Sequence, residues 1–84
     1  MADIKIYTTT YCPYCVRAKS LLKSKNLPYQ EIDVTSDDEL RERMITASGR
    51  RTVPQIFIDG RPIGGFDELR ALNETGELDA LLGA

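Results

Sequence analysis

Asp3-Ile4-Lys5-Ile6-Tyr7-Thr8-Thr9-Thr10-Tyr11-Cys12-Pro13-Tyr14-Cys15-Val16-Arg17-Ala18 decides how the rest of the chain is read. Residues 3–8 alternate in polarity and carry β-favouring side chains, which predicts a strand. The threonines and Tyr11 form a polar break. From Pro13 the pattern turns helical, and proline suits a first helical position because its missing N–H costs nothing there. Cys12 and Cys15 are the only cysteines of the 84 residues and sit at this strand-to-helix junction. A lone C-x-x-C pair in that position is a redox signature.

The chemistry follows from the position. A thiol attacks only as thiolate, and a free cysteine with a pKa of ~8.5 is mostly protonated at neutral pH. At the N-cap of a helix, the Cys12 sulfur faces unpaired backbone N–H groups and the positive helix end, and both favour the anion. Cys15, one turn inside, can resolve a mixed disulfide. The alternatives are half of a structural zinc site or two packed thiols. Zinc normally takes four ligands, and the chain has no histidine and no second C-x-x-C.

Working outward, Cys15, Ala18, Leu21 and Leu22 share one face of the first helix, and Asn26-Leu27-Pro28 stops it. Residues 29–34 alternate again and predict a second strand, parallel to the first through a right-handed crossover. Ser36-Asp37-Asp38-Glu39 reads as a capping box with Ser36 as the cap. It opens a helix that turns Leu40, Met44 and Ala47 inward and closes at Gly49. Gln55 to Ile58 reads as a third strand, Asp59-Gly60 as a hairpin turn, and Arg61 to Ile63 as an edge strand marked by Pro62. Phe66 to Asn73 is a helix with Leu69 and Leu72 inward, followed by a short one carrying Leu78, Leu81 and Leu82. The order βαβ-α-ββα predicts an α/β fold with a four-stranded mixed sheet and helices on both faces, as one domain spanning residues 1–84.

Totals narrow the function. Apolar content of 42% and charged content of 29% are those of a globular protein. A net charge of -2 argues against nucleic acid as a partner. The start of the chain has no basic segment followed by an apolar stretch of secretory length, and no run reaches membrane-spanning length. A cytoplasmic location, without membrane contact, is expected. In a reducing compartment a purely structural disulfide is disfavoured.

Cys12-Pro13-Tyr14-Cys15, Thr52-Val53-Pro54 ahead of a strand, and Gly64-Gly65-Phe66-Asp67 opening a helix occur in that order. Together they cover nearly the whole chain and resemble a dithiol glutaredoxin of the thioredoxin-like superfamily. The resemblance implies a glutathione-dependent thiol–disulfide oxidoreductase that reduces protein–glutathione mixed disulfides and protein disulfides. Cys12 and Cys15 would be catalytic. Glutathione would be a reducing co-substrate, with no tightly bound cofactor and no metal. Thr52, Val53 and Pro54 would hold its cysteinyl backbone, with Pro54 in cis. Gly65, Phe66 and Asp67 would receive its γ-glutamyl end, Tyr14 would line the cleft, and Arg41 would meet the glycyl carboxylate, with Arg50 and Arg51 nearby. Protein partners would be glutathionylated or disulfide-containing proteins, with ribonucleotide reductase among the family's candidates, and the chain would act as a monomer. Two rivals are a donor fed by thioredoxin reductase and a dimer sharing an iron–sulfur cluster through Cys12; the G-G-x-D element speaks against the first and Pro13 against the second. One departure stands out: glutaredoxins commonly carry lysine three residues before the first cysteine, and here that position is Thr9.

Overall fold

Alternation builds the central strand. In β1 (Ile4–Thr8), Ile4, Ile6 and Thr8 are buried on one face, while Lys5 and Tyr7 are half-buried on the other. The computed structural model describes residues 3–83, so the ends of the expected 1–84 domain (residues 1, 2 and 84) lie outside the described residues. α1 (Pro13–Ser24) buries Cys15, Ala18 and Leu22. It ends where Asn26 takes a left-handed φ of 57° and the Leu27 amide reaches back to the Leu22 carbonyl at 3.0 Å. The chain returns as β2 (Gln30–Asp33), parallel to β1 with Tyr7 opposite Ile32.

α2 (Asp38–Ser48) starts one residue later than the expected cap. Asp37, not Ser36, is the N-cap, and its carboxylate accepts the Leu40 amide at 3.0 Å. A carboxylate is at least as good an N-cap as a hydroxyl and adds charge against the helix dipole. Glu39 is then free to pair along the helix with Arg43 at 2.8 Å. Met44 is buried as expected, but Ala47 is exposed, and Ile45 and Ser48 take the half-buried positions near the helix end. Gly49, at φ 75°, closes the helix.

β3 (Gln55–Ile58) is buried along its whole length and lies antiparallel to β1. Asp59 and Gly60 both have positive φ, the requirement of a two-residue hairpin turn. β4 (Arg61–Gly64) returns as the edge strand, where Pro62 withholds no needed N–H. The sheet order is β2-β1-β3-β4. α3 (Phe66–Thr75) and α4 (Glu77–Leu81) follow, separated by Gly76.

The core fills the face of the sheet covered by α1, α3 and α4. Ile4, Ile6, Ala18, Leu22, Ile56, Ile58, Leu69 and Leu78 form one buried cluster. Each of the larger side chains contributes about 1.5–3 kcal/mol by leaving water. On the opposite face Tyr7 and Phe57 meet edge to face at 5.5 Å, and α2 packs beside β4. Helices thus cover both faces of a four-stranded mixed sheet, the thioredoxin-like architecture expected. No helix among the described residues is long and apolar enough to cross a membrane.

Candidate active site

The end of β1 delivers the chain to the first turn of α1. Cys12 is the N-cap residue, with extended backbone, and its Sγ accepts the Cys15 amide at 3.1 Å. That places the sulfur where the first-turn N–H groups converge. Cys12 and Cys15 are joined in a disulfide with their Cα atoms 5.2 Å apart. Cys12 is half-buried, whereas Cys15 is 1% exposed. An incoming sulfur can therefore reach Cys12 but not Cys15.

The segment before β3 comes to the same place. The Val53–Pro54 peptide bond is cis. The Val53 carbonyl oxygen lies 3.8 Å from Cys12 Sγ. In the disulfide that sulfur has no proton to donate, so this is a contact, which reduction can convert to a weak hydrogen bond. Gln55 holds this segment from inside: its buried side-chain amide donates to the Thr52 carbonyl at 2.9 Å and to the Thr52 hydroxyl at 3.2 Å.

Across from it, Gly65 is the N-cap of α3, followed by Phe66 and Asp67 in the first turn. A Cβ on Gly65 would stand 3.3 Å from the Pro54 carbonyl oxygen, so glycine lets the two walls come close. Between the walls lies an open cleft of about 440 Å³ lined by Tyr14 and residues 50–54 and 65–68. That volume suits a small ligand. Tyr14 leans over Phe66 with ring centroids 6.4 Å apart, and the Arg17 guanidinium sits 5.2 Å above the Tyr14 ring.

Of the residues expected at the site, Tyr14, Thr52, Val53, Pro54, Gly65, Phe66 and Asp67 share this cleft, and Cys12 adjoins it through Val53. Arg41, half-buried on α2, is not part of the lining; Arg50 and Arg51 are. Glu68 is the residue that sequence reasoning did not single out. Its Oε1 accepts the Gly65 amide at 2.8 Å and the Arg50 guanidinium at 2.5 Å. The Gly65 N–H, and then Arg50, hold the Glu68 carboxyl below its usual range. The signal was present: an acid three residues past a helix cap is one half of a capping box. Among the described residues no group of three or more histidines, cysteines or carboxylates could hold a metal ion.

The chain is similar to known proteins in sequence and in fold. The sequence profile described as "Glutaredoxin" matches residues 4–63. The chain is 55% identical over 82 residues to "Glutaredoxin 3" of Escherichia coli, covering 98% of this chain and 99% of that protein. It superimposes on the solution structure of glutaredoxin from Brucella melitensis with a TM-score of 0.86 at 51% identity, covering 98% of this chain and 89% of that one. The crystal structure of a buckwheat glutaredoxin–glutathione complex gives a TM-score of 0.88 at 34% identity, covering 98% of this chain and 77% of that one.

Proposed function

The chain belongs to the glutaredoxin family, and from that premise we propose how its residues divide a glutathione-dependent thiol–disulfide oxidoreductase reaction. The Cys12 thiolate attacks the glutathionyl sulfur of a protein–glutathione mixed disulfide. The Cys12–glutathione bond forms as the protein–glutathione bond breaks, and the protein thiolate leaves and takes up a proton. A second glutathione thiolate then attacks the bound glutathionyl sulfur, freeing Cys12 and releasing oxidised glutathione. With a protein disulfide, Cys12 attacks one sulfur and Cys15 displaces the mixed disulfide. This yields the Cys12–Cys15 disulfide and two substrate thiols, and two glutathiones restore the dithiol.

The observation that carries this reading is the asymmetry of the pair. Cys12 is reachable and caps the helix, its sulfur accepting the Cys15 amide, Cys15 is buried one turn inside, and a small-ligand cleft opens beside Cys12. In that cleft we assign glutathione's cysteinyl backbone to Val53, with Thr52 and Pro54 shaping the wall. The γ-glutamyl end goes to Gly65, Phe66 and Asp67, where first-turn amides suit a carboxylate and Asp67 an ammonium. Tyr14 covers the bound sulfur. The glycyl carboxylate goes to the Arg50-Arg51 segment, which lines the cleft, and Arg41 is assigned at most a long-range electrostatic part. Glutathionylated or disulfide-bonded proteins of the cytoplasm are the proposed substrates of a monomeric enzyme.

The test couples the protein to glutathione, glutathione reductase and NADPH and supplies a small mixed disulfide. Turnover is expected in the parent and its loss in Cys12→Ser; normal activity in that variant would refute the assignment.

A further inference from the structure

Two adjacent arginines, Arg50 and Arg51, line the cleft, together with two adjacent acids, Asp67 and Glu68. They are not equivalent. Arg50 is paired with Glu68, whereas among the described residues Arg51 has no carboxylate and Asp67 no cation within ion-pair distance. One oxygen makes the difference. Glu68 Oε1 accepts from Arg50, on the segment leading to β3, and from the Gly65 amide, at the start of α3. These are the two opposing walls of the cleft. Gly64 leaves the space for this: a Cβ there would fall 2.5 Å from Glu68 Oε1 and 2.8 Å from its Cγ.

We propose that Glu68 is a positioning residue that ties the Arg50 wall to the Gly65 wall, leaving Arg51 and Asp67 as the free charges that meet the two ends of glutathione. This rests on the reading that the cleft takes glutathione, and gives Glu68 a part in that binding without contact with the ligand. With Arg50 neutralised, the cleft presents one free cation and one free anion, a match for a peptide with a carboxylate at one end and an amino acid head at the other. With Gly65's N–H already taken, the amides that follow it are the ones left to face a ligand carboxylate. The tie also fixes the distance between walls in advance, so less ordering remains for binding to do.

The consequence is specific to glutathione and not to sulfur chemistry. In the coupled assay, Glu68→Ala should raise the KM for the glutathionylated mixed disulfide, whose glutathionyl group occupies the cleft, by about fivefold, within the range for residues sharing one hydrogen-bonded network. Its kcat at saturating mixed disulfide should stay near the parent's, which also shows that the variant folds. Glu68→Gln keeps an oxygen able to accept both bonds and should recover most of the lost affinity. Arg50→Ala should raise KM as well, and the double variant Arg50→Ala/Glu68→Ala should be no worse than Glu68→Ala alone. Arg51→Ala should raise KM independently of both. An unchanged KM in Glu68→Ala, a fall confined to kcat, or additive effects of the Arg50 and Glu68 changes would overturn the tie. If Arg51→Ala raises KM while Glu68→Ala does not, the tie fails and the glutathione cleft stands. If the parent shows no turnover with glutathione, both fail.

Discussion

Replacing Gly64 by alanine should damage the protein in two measurable ways. Gly64 has φ 121°, a backbone conformation that side-chain-bearing residues avoid. Holding an L-residue there costs of order 1–3 kcal/mol. The new Cβ would also stand within 3.0 Å of three Glu68 side-chain atoms, Oε1, Cγ and Cβ. Only the first can swing aside cheaply, so Glu68 must leave its place. The Glu68–Arg50 pair is partly solvated, with side chains 41% and 51% exposed, so its loss adds no more than about 1 kcal/mol. The sum is roughly 1–4 kcal/mol. For a domain of this size each kcal/mol moves Tm by about 4–8 °C, which places the expected drop between about 4 and 30 °C. Far-UV circular dichroism melts of parent and variant measure it, and the KM for a glutathionylated mixed disulfide at a temperature where both are folded reports the displaced Glu68. A Tm within about 3 °C of the parent's would show that neither the backbone strain nor the crowding is real.

Other consequences are smaller. Thr9→Lys places an ammonium three residues before Cys12, and thiolate formation, followed by ultraviolet absorbance, should shift to lower pH; an unchanged titration with unchanged turnover would remove that position from the account. Glu31 accepts the Thr8 hydroxyl at 2.8 Å and pairs with Lys19 at 3.1 Å, and the hydroxyl first, then Lys19, hold its carboxyl below the ordinary value of 4.5. Because the folded value is the lower one, the stabilisation is full above the ordinary value and is lost as pH falls through the folded value. Glu31→Gln should therefore flatten the decline of Tm between about pH 5 and pH 3, and an acid-side decline equal to the parent's would contradict this.

Much of this was readable in the chain because the signals were local. Alternation at Ile4 and Ile6, the Asp59-Gly60 turn and Gly49 each specify geometry within a few residues, and the observed elements follow them. The strand-to-helix junction likewise put Cys12 at a cap, where it is found. The α2 cap falls one residue beyond Ser36 because Ser36 and Asp37 are about equally good caps, and the Asp37 carboxylate adds charge against the helix dipole. Helical spacing alone turns Ala47 inward; its exposure is decided by where α2 meets β4. The division between Arg50 and Arg51 was not legible at all. It depends on Glu68 reaching across 18 residues of sequence, a contact created only when β4 and α3 fold back over the Arg50 segment. Arg41 illustrates the reverse: a basic residue assigned by resemblance to a role near the cleft stands on α2 outside its lining.

The central claim is that Cys12 carries glutathione and Cys15 only resolves. Cys15→Ser protein treated with oxidised glutathione and analysed by intact and peptide mass spectrometry tests it directly. A single glutathione adduct on Cys12 is expected, removed by reduced glutathione, with turnover on a small mixed disulfide preserved. The absence of an adduct on Cys12, or loss of mixed-disulfide turnover in this variant, would contradict it.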